Sequence, residues 1–239
     1  MSDIFLKAEW RKLLIINYQV DREILQPYLP DKTEHDLRKG ICYVSLIGFM
    51  FLNTRIKNIK IPFHVNFEEV NLRFYVRHWD TKTNEWKRGV VFIKEIVPRA
   101  ALTLAANTLY GEHYETLPLS HQWLTGKDSI TVEYSWEKSG KRNSIKIKTG
   151  TELTEIEKGS EEEFITEHYL GYTKLDNEKT SEYGVEHPRW KIYKTLGYEV
   201  NVDFEKIYGK QFGFLENEKP VCVFLAEGSE IRVRKGRKI

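Results

Sequence analysis

The chain has 239 residues, of which 41% are hydrophobic, 30% charged and 13% aromatic, with a formal net charge of +2. Those values exclude a disordered chain and the broad positive footprint of a nucleic-acid binder, and the length is enough to bury a substantial core. No run reaches the ~20 apolar residues of a membrane span, and Asp3, Lys7 and Glu9 break the stretch where a signal peptide needs an apolar centre. The two cysteines, Cys42 and Cys222, lie in apolar runs and read as free core thiols, so a reducing cytoplasm is expected.

Arg11 to Tyr18 reads as a buried strand, followed by a short helix capped by Asp21 and ending before Pro30. Ile41 to Leu52 is nearly all apolar and reads as a central strand or a bent pair, with Gly48 at the bend. The strand Glu69 to Val76 alternates, and Gly89 to Ile96 is its expected antiparallel partner across the polar turn Asp80 to Asn84. Pro98 opens a helix over Arg99 to Tyr110, stopped by Gly111 and apolar enough to be buried against the sheet. Strands are expected at Ile130 to Trp136 and Ser144 to Lys148, joined by a turn at Ser139 to Lys141 and wet on one face. Ser160 and Glu163 form a capping box for a helix reaching about His168. Further strands follow within Tyr183 to Val200, then a short helix from Asp203 to near Gly209. Val221 to Leu225 and Ile231 to Val233 read as a terminal hairpin turned at Glu227-Gly228-Ser229. With no linker or repeat, residues 1–239 read as one domain.

The alternating strand carries the chemistry. Val70, Leu72, Phe74 and Val76 form an apolar face; Glu69, Asn71, Arg73 and Tyr75 form a file of carboxylate, amide, guanidinium and phenol. A one-sided antiparallel strand with a solvated face shows the same pattern. Asn and Arg are poor decoration for a strand, however, and Phe67 lies on the same side. An inward face requires Glu69 and Arg73 to pair with each other or with a ligand. Lys94 lies in the apolar run VVFIKEI, where burial could activate it as a Schiff-base nucleophile, although lysines at strand ends commonly point outward. His187, fixed in extended backbone before Pro188, is a positioned side chain or a loop anchor. No phosphate loop, GxSxG elbow, HExxH or Cys/His metal spacing is present, so neither cofactor nor metal is expected. The basic tail Arg232 to Lys238 has no second basic block and reads as a solvated terminus.

The segments WRKLLIINYQVDREILQPYLP (from Trp10), CYVSLIGFMF, FEEVNLRFYV, LYGEHYETLPL and VEHPRW resemble, in order, the bacterial YqjF-like family of unknown function, grouped with the acetoacetate decarboxylase superfamily. The resemblance implies a mainly β, α+β fold in which a curved antiparallel sheet or barrel surrounds an internal cavity, with the Glu69 face turned inward. It also implies where the decarboxylase pattern fails. The superfamily's lysine-bearing segment matches Gly111 to Glu115, which holds no lysine, and its substrate-binding arginine matches Gln19. Only the strand carboxylate, Glu69, matches.

Together these readings predict a cavity for a small carboxylate- or carbonyl-bearing molecule. Arg73 would clamp it, Glu69 would act as acid, base or orienting group, and Asn71 and Tyr75 would donate hydrogen bonds. His113, Tyr114 and Glu115 would line the rim, with Gln19 and His187 as further contacts. Neither nucleic acid nor membrane is an expected partner, and a homo-oligomer is compatible. Lyase-type acid/base chemistry without an imine, a non-catalytic metabolite-binding module and a purely structural polar strand all remain open at this point.

Overall fold

A computed structural model describes residues 4–175 and 179–239. In chain order the strands are β1 (Ile4–Val20), β2 (Thr33–His35), β3 (Cys42–Ile56), β4 (Phe67–Asp80), β5 (Glu85–Val97), β6 (Tyr114–Thr116), β7 (Leu119–Thr125), β8 (Ile130–Lys138), β9 (Lys141–Glu155), β10 (Leu170–Lys174), β11 (Thr180–Glu186), β12 (Lys191–Asn201), β13 (Cys222–Arg234) and β14 (Arg237–Lys238). The helices are short: α1 (Arg22–Leu25), α2 (Ala100–Tyr110), α3 (Glu161–Thr166) and α4 (Phe204–Tyr208).

The strands form one large sheet that curls until β11 pairs with β13. This closes a ring in the order β1, β3, β4, β5, β10, β11, β13. The sheet is mixed rather than antiparallel throughout, because β5 runs parallel to both β10 and β6. Beyond the ring, β12, β9, β8 and β7 continue the sheet from β13. Their apolar residues Ile130, Val132, Tyr134, Ile145 and Ile147 join Leu14, Leu46, Leu72 and Phe74 from the ring's outer face in one core. Phe204, Ile207 and Phe212, from α4 and the turn after it, complete that core.

The consequence for β4 is burial on both faces. Val70, Leu72, Phe74 and Val76 are fully enclosed in the outer core, while Phe67 and Tyr75 join a second cluster inside the ring with Leu13, Ile15, Ile47 and Phe49. Alternation here separates two interiors rather than core from water.

Caps form where short polar residues precede the helices. Asp21 accepts from the Glu23 amide at 3.0 Å, Ser160 from Glu163 at 3.1 Å, and Asp203 from Lys206 at 3.0 Å. The reciprocal arm of the box at Ser160 is displaced by one residue, since Glu163 accepts from the Gly159 amide instead. Of the two readings of the Ile41 to Leu52 run, the single strand holds: Cys42 to Ile56 is continuous through Gly48, where a β-carbon would lie 2.7 Å from the Tyr134 ring. Two expectations are corrected. The terminal hairpin is a single strand, β13, paired along β1 from Asn17–Cys222 to Ile4–Arg234. Gly228 is not its turn but a left-handed kink (φ +81°) whose missing β-carbon avoids the Trp10 carbonyl. Among the described side chains of α2, Leu104 is 70% exposed and Asn107 and Thr108 are exposed, so burial against the sheet is limited to the side of Leu102, which packs on the inner cluster. No helix among the described residues is long and apolar enough to cross a membrane.

Candidate functional site

The ring encloses a cavity of about 230 Å³, at the small end of ligand sites. Its wall has two chemical halves, visible along a single row of cross-strand neighbours. Tyr114 on β6 lies opposite Glu95 on β5, Glu95 opposite Asn71 on β4, Asn71 opposite Ile47 on β3, Ile47 opposite Ile15 on β1 and Ile15 opposite Phe224 on β13. The row is polar from β6 to β4 and apolar from β3 to β13; on the apolar side the lining itself comes from Ile47 with Trp10, Leu13, Phe49, Phe51 and Trp190.

Glu69, Asn71 and Arg73 all line the cavity, and Glu69 and Asn71 are 3% and 1% exposed. Asn71 Nδ2 donates to Glu69 Oε1 at 2.9 Å, and the Tyr114 hydroxyl approaches Glu69 Oε2 at 3.4 Å. Burial pushes the Glu69 carboxyl up to about 7, outweighing these two hydrogen bonds and the Arg73 charge, with Glu112 adding to the rise. Glu112 also lines the cavity and accepts from Thr173 Oγ1 at 2.7 Å; burial lifts it to about 7 as well. Glu95 is raised further by burial, then by the charges of Glu112 and Glu69. These three carboxyls therefore titrate as a set. Tyr114 and Tyr183, half-buried beside them, are pushed well above the ordinary phenol range by desolvation and stay protonated. Tyr183 fits because it lies across Gly171 on β10, where a β-carbon would meet its ring at 2.2 Å.

Arg73 is the exception in this half. It lines the cavity, yet its side chain makes no hydrogen bond to a described residue, and its buried Nε has no partner. Its guanidinium carbon lies 5.8 Å from the centre of the Tyr75 ring. Several buried polar atoms without partners among the described residues belong to cavity-lining residues, including Asn71 Oδ1, Arg73 Nε, Glu95 Oε2 and His168 Nδ1. Native interiors rarely leave such atoms unpaired, so their convergence on one hollow marks a place suited to a polar guest.

The other expected site residues are dispersed. Tyr114 and His187 line the cavity; His187 stacks on Trp190 with ring centres 4.1 Å apart, and burial lowers its basicity. His113 is exposed outside the lining, and Glu115 turns to the opposite face, where it accepts from Lys94 at 2.8 Å and Lys138 at 2.7 Å. Residues 112 and 114 face in, so 113 and 115 face out. Tyr75 is buried but does not line the cavity. It bonds Ser45 Oγ at 2.6 Å, and Ser45 donates to Asn17 Oδ1 at 2.5 Å. Gln19 shares that inner face two residues farther along β1 and emerges in an exposed surface groove beside Asp21 and Arg22.

Lys94 is excluded from the cavity by one irregularity. From Asp80–Glu85 inward, the β4–β5 ladder keeps step to Arg73–Phe92; an unbroken ladder would then set Lys94 opposite Asn71. A bulge adds Ile93 at that point, so Lys94 falls opposite Leu72 on the outer face and Glu95 takes the inner place. The Lys94 ammonium bonds Glu115 and the Ile207 carbonyl. Among the described lysines only Lys235, exposed at the rim, lies along the cavity. No group of three or more His, Cys, Asp or Glu side chains among the described residues could hold a metal ion.

The model of the DUF2071 family of uncharacterized conserved proteins matches residues 7–230. The chain belongs to that family. This DUF2071 chain is 25% identical over 202 residues to the "Uncharacterized protein YqjF" of Bacillus subtilis, covering 83% of its own length and 78% of that protein. It superposes on acetoacetate decarboxylase from Legionella pneumophila with a TM-score of 0.65 at 12% identity, covering 98% of this chain and 87% of the other. It is also similar to the enduracididine biosynthesis enzyme MppR, in complex with the condensation product of pyruvate and imidazole 4-carboxaldehyde, with a TM-score of 0.67, 11% identity, and coverage of 100% and 90%. At these identities the likeness is one of fold: the DUF2071 chain has the acetoacetate decarboxylase-like architecture.

Proposed function

We propose that the ring cavity binds a small organic acid, with Arg73 holding its carboxylate and Glu69, relayed by Tyr114, exchanging a proton with the bound molecule in a lyase-type step that needs no lysine imine. The observation that carries this reading is Arg73: a permanently charged guanidinium inside the ring, without a hydrogen-bonding partner among the described residues. The neighbouring carboxyls do not neutralise it, because burial favours their protonated forms near neutral pH. An enclosed charge without a partner is costly, and a ligand carboxylate offers the planar, bidentate partner that a guanidinium takes best.

A carboxyl that titrates near 7 is populated in both forms at neutral pH, which suits a group that must give and take a proton in turn. The apolar half of the wall would face the ligand's carbon skeleton. The pyruvate-derived molecule in MppR supports an organic acid as the class of guest. A cytoplasmic location completes the reading, in line with two cysteines that are both unpaired.

A thermal-shift screen of two- to nine-carbon keto, hydroxy and simple carboxylic acids tests it. The expected result is a higher melting temperature with one or more of them, lost in Arg73→Met. An unchanged melting temperature across the panel, or a shift that Arg73→Met retains, contradicts the clamp.

A further inference from the structure

A second polar group lines the same cavity, and the acid/base reading makes no use of it. His168 follows α3 with a side chain 1% exposed. Its Nε2 lies 3.0 Å from Asp36 Oδ2, and the same oxygen accepts from Arg88 Nε at 2.6 Å. Burial works to raise the Asp36 carboxyl, but the hydrogen bonds from His168 and Arg88 outweigh it and hold Asp36 ionised. A carboxylate can only accept, so the ring proton of His168 must sit on Nε2. Burial also lowers the imidazole to about 4, which leaves the ring neutral at pH 7.

The remaining nitrogen, Nδ1, is then a bare lone pair, enclosed and without a donor among the described residues. Its nearest ring neighbours, Tyr75 and Phe164, cannot supply one: the Tyr75 hydroxyl is engaged with Ser45, and Phe164 has no polar atom. His168 and Arg73 lie against the same Tyr75 ring, at 4.7 Å between ring centres and 5.8 Å from the guanidinium carbon. His168 and Arg73 thus both line the one hollow.

We propose that His168 Nδ1 accepts a hydrogen bond from the ligand, so that the cavity selects organic acids bearing a hydroxyl or N–H group close to the carboxylate over acids that lack one. Asp36 is a positioning residue that sets the tautomer, and Arg88 holds Asp36. The inference rests on Arg73 as the carboxylate clamp, and the experiment separates the two.

The probes are 3-phenylpropanoate and each enantiomer of 3-phenyllactate, which differ by one hydroxyl beside the carboxylate and share a ring suited to the apolar wall. Calorimetric titration at pH 7 is expected to show one phenyllactate enantiomer binding about tenfold tighter than phenylpropanoate, as a buried hydrogen bond allows. In His168→Phe the preference should fall to within twofold while phenylpropanoate binding persists. Long-range proton–nitrogen spectra of the unsubstituted protein give a readout independent of that variant's folding. They should show Nε2 protonated and Nδ1 bare, with the Nδ1 resonance moving on addition of phenyllactate and not of phenylpropanoate. Equal binding of all three acids, with Arg73→Met abolishing it, overturns the His168 assignment and leaves the clamp standing. A protonated Nδ1 in the free protein, or a preference that survives in His168→Phe, overturns it as well. No binding by any of the three overturns the His168 assignment, and an unchanged melting temperature across the whole acid panel overturns the clamp with it.

Discussion

Replacing Glu69 by Gln should change how stability depends on pH. In the unfolded chain this carboxyl releases its proton near its ordinary 4.5, whereas burial inside the ring defers release to about 7. Between those values the folded protein binds more protons than the unfolded one, so this group makes stability fall as pH rises from about 4.5 to 7, after which its contribution is flat. The difference corresponds to about 3 kcal/mol, from roughly 1.4 kcal/mol for each tenfold change in proton affinity. Gln keeps the oxygen that accepts from Asn71 and cannot ionise. Urea unfolding at intervals from pH 5 to 8 should therefore show parent and Glu69→Gln converging at the acid end and separating with rising pH, the variant becoming more stable by up to about 3 kcal/mol. Coupling to Glu112 and Glu95 reduces the gap but cannot reverse it. Parallel curves over the whole range would show that Glu69 is hydrated or paired, and the account of the cavity's electrostatics would be wrong.

The opposite slope is expected of His168, which burial holds neutral down to about 4: its contribution is lost as pH falls from 6.5 toward 4, and His168→Phe should flatten that acid limb in an unfolding series extended down to pH 4. Gly171→Ala puts a methyl against the Tyr183 ring and drives the phenol into the cavity, so stability should drop by about 1–3 kcal/mol in urea and phenylpropanoate binding should weaken. Unaltered unfolding and binding in that variant would contradict the placement of Tyr183. Borohydride added to the protein with pyruvate should leave its mass unchanged, because Lys94 is turned outward onto Glu115; an adduct mapped to Lys94 by peptide mass spectrometry would contradict the β5 bulge.

The sequence was a good guide wherever neighbouring residues decide the outcome. The β4–β5 hairpin, the three capped helices and the placing of Glu69, Asn71 and Arg73 on one face follow from two-residue alternation and short polar caps; that this face turns inward follows from the family resemblance and not from alternation. The errors have specific physical causes. The sequence suggests a turn at Gly228 and, for a bent strand pair, a bend at Gly48, but each glycine exists to admit a distant group, the Trp10 carbonyl and the Tyr134 ring, and such contacts leave no local trace. Glu95 is not distinguishable from Lys94 by alternation, because a single bulge residue decides which of the two faces inward. Glu112 was accessible in principle: it shares the parity of Tyr114, whereas His113 and Glu115 do not. Tyr183 and His168 join the site only when β10 and β11 close the ring, a long-range pairing that one chain's alternation does not encode.

The wall's two halves also explain why a polar strand survives in so enclosed a place. On the outer side β4 is sealed by the β7–β9 extension and α4, so the polar file has no route to bulk water across the sheet. Held in that medium, three carboxyls shift toward their neutral forms and leave Arg73 as the dominant charge of the hollow at mildly acid pH. Binding of an organic anion should accordingly tighten between pH 8 and pH 6, while ligands of pKa below 5 remain ionised throughout.

The most direct test of the central claim is a crystal structure of the protein soaked with 3-phenylpropanoate. The account predicts the carboxylate within hydrogen-bonding distance of Arg73 and the phenyl ring against Trp10, Phe49 and Ile47. A ligand seated elsewhere, or an Arg73 guanidinium found paired with Glu69 in a collapsed ring, would contradict it.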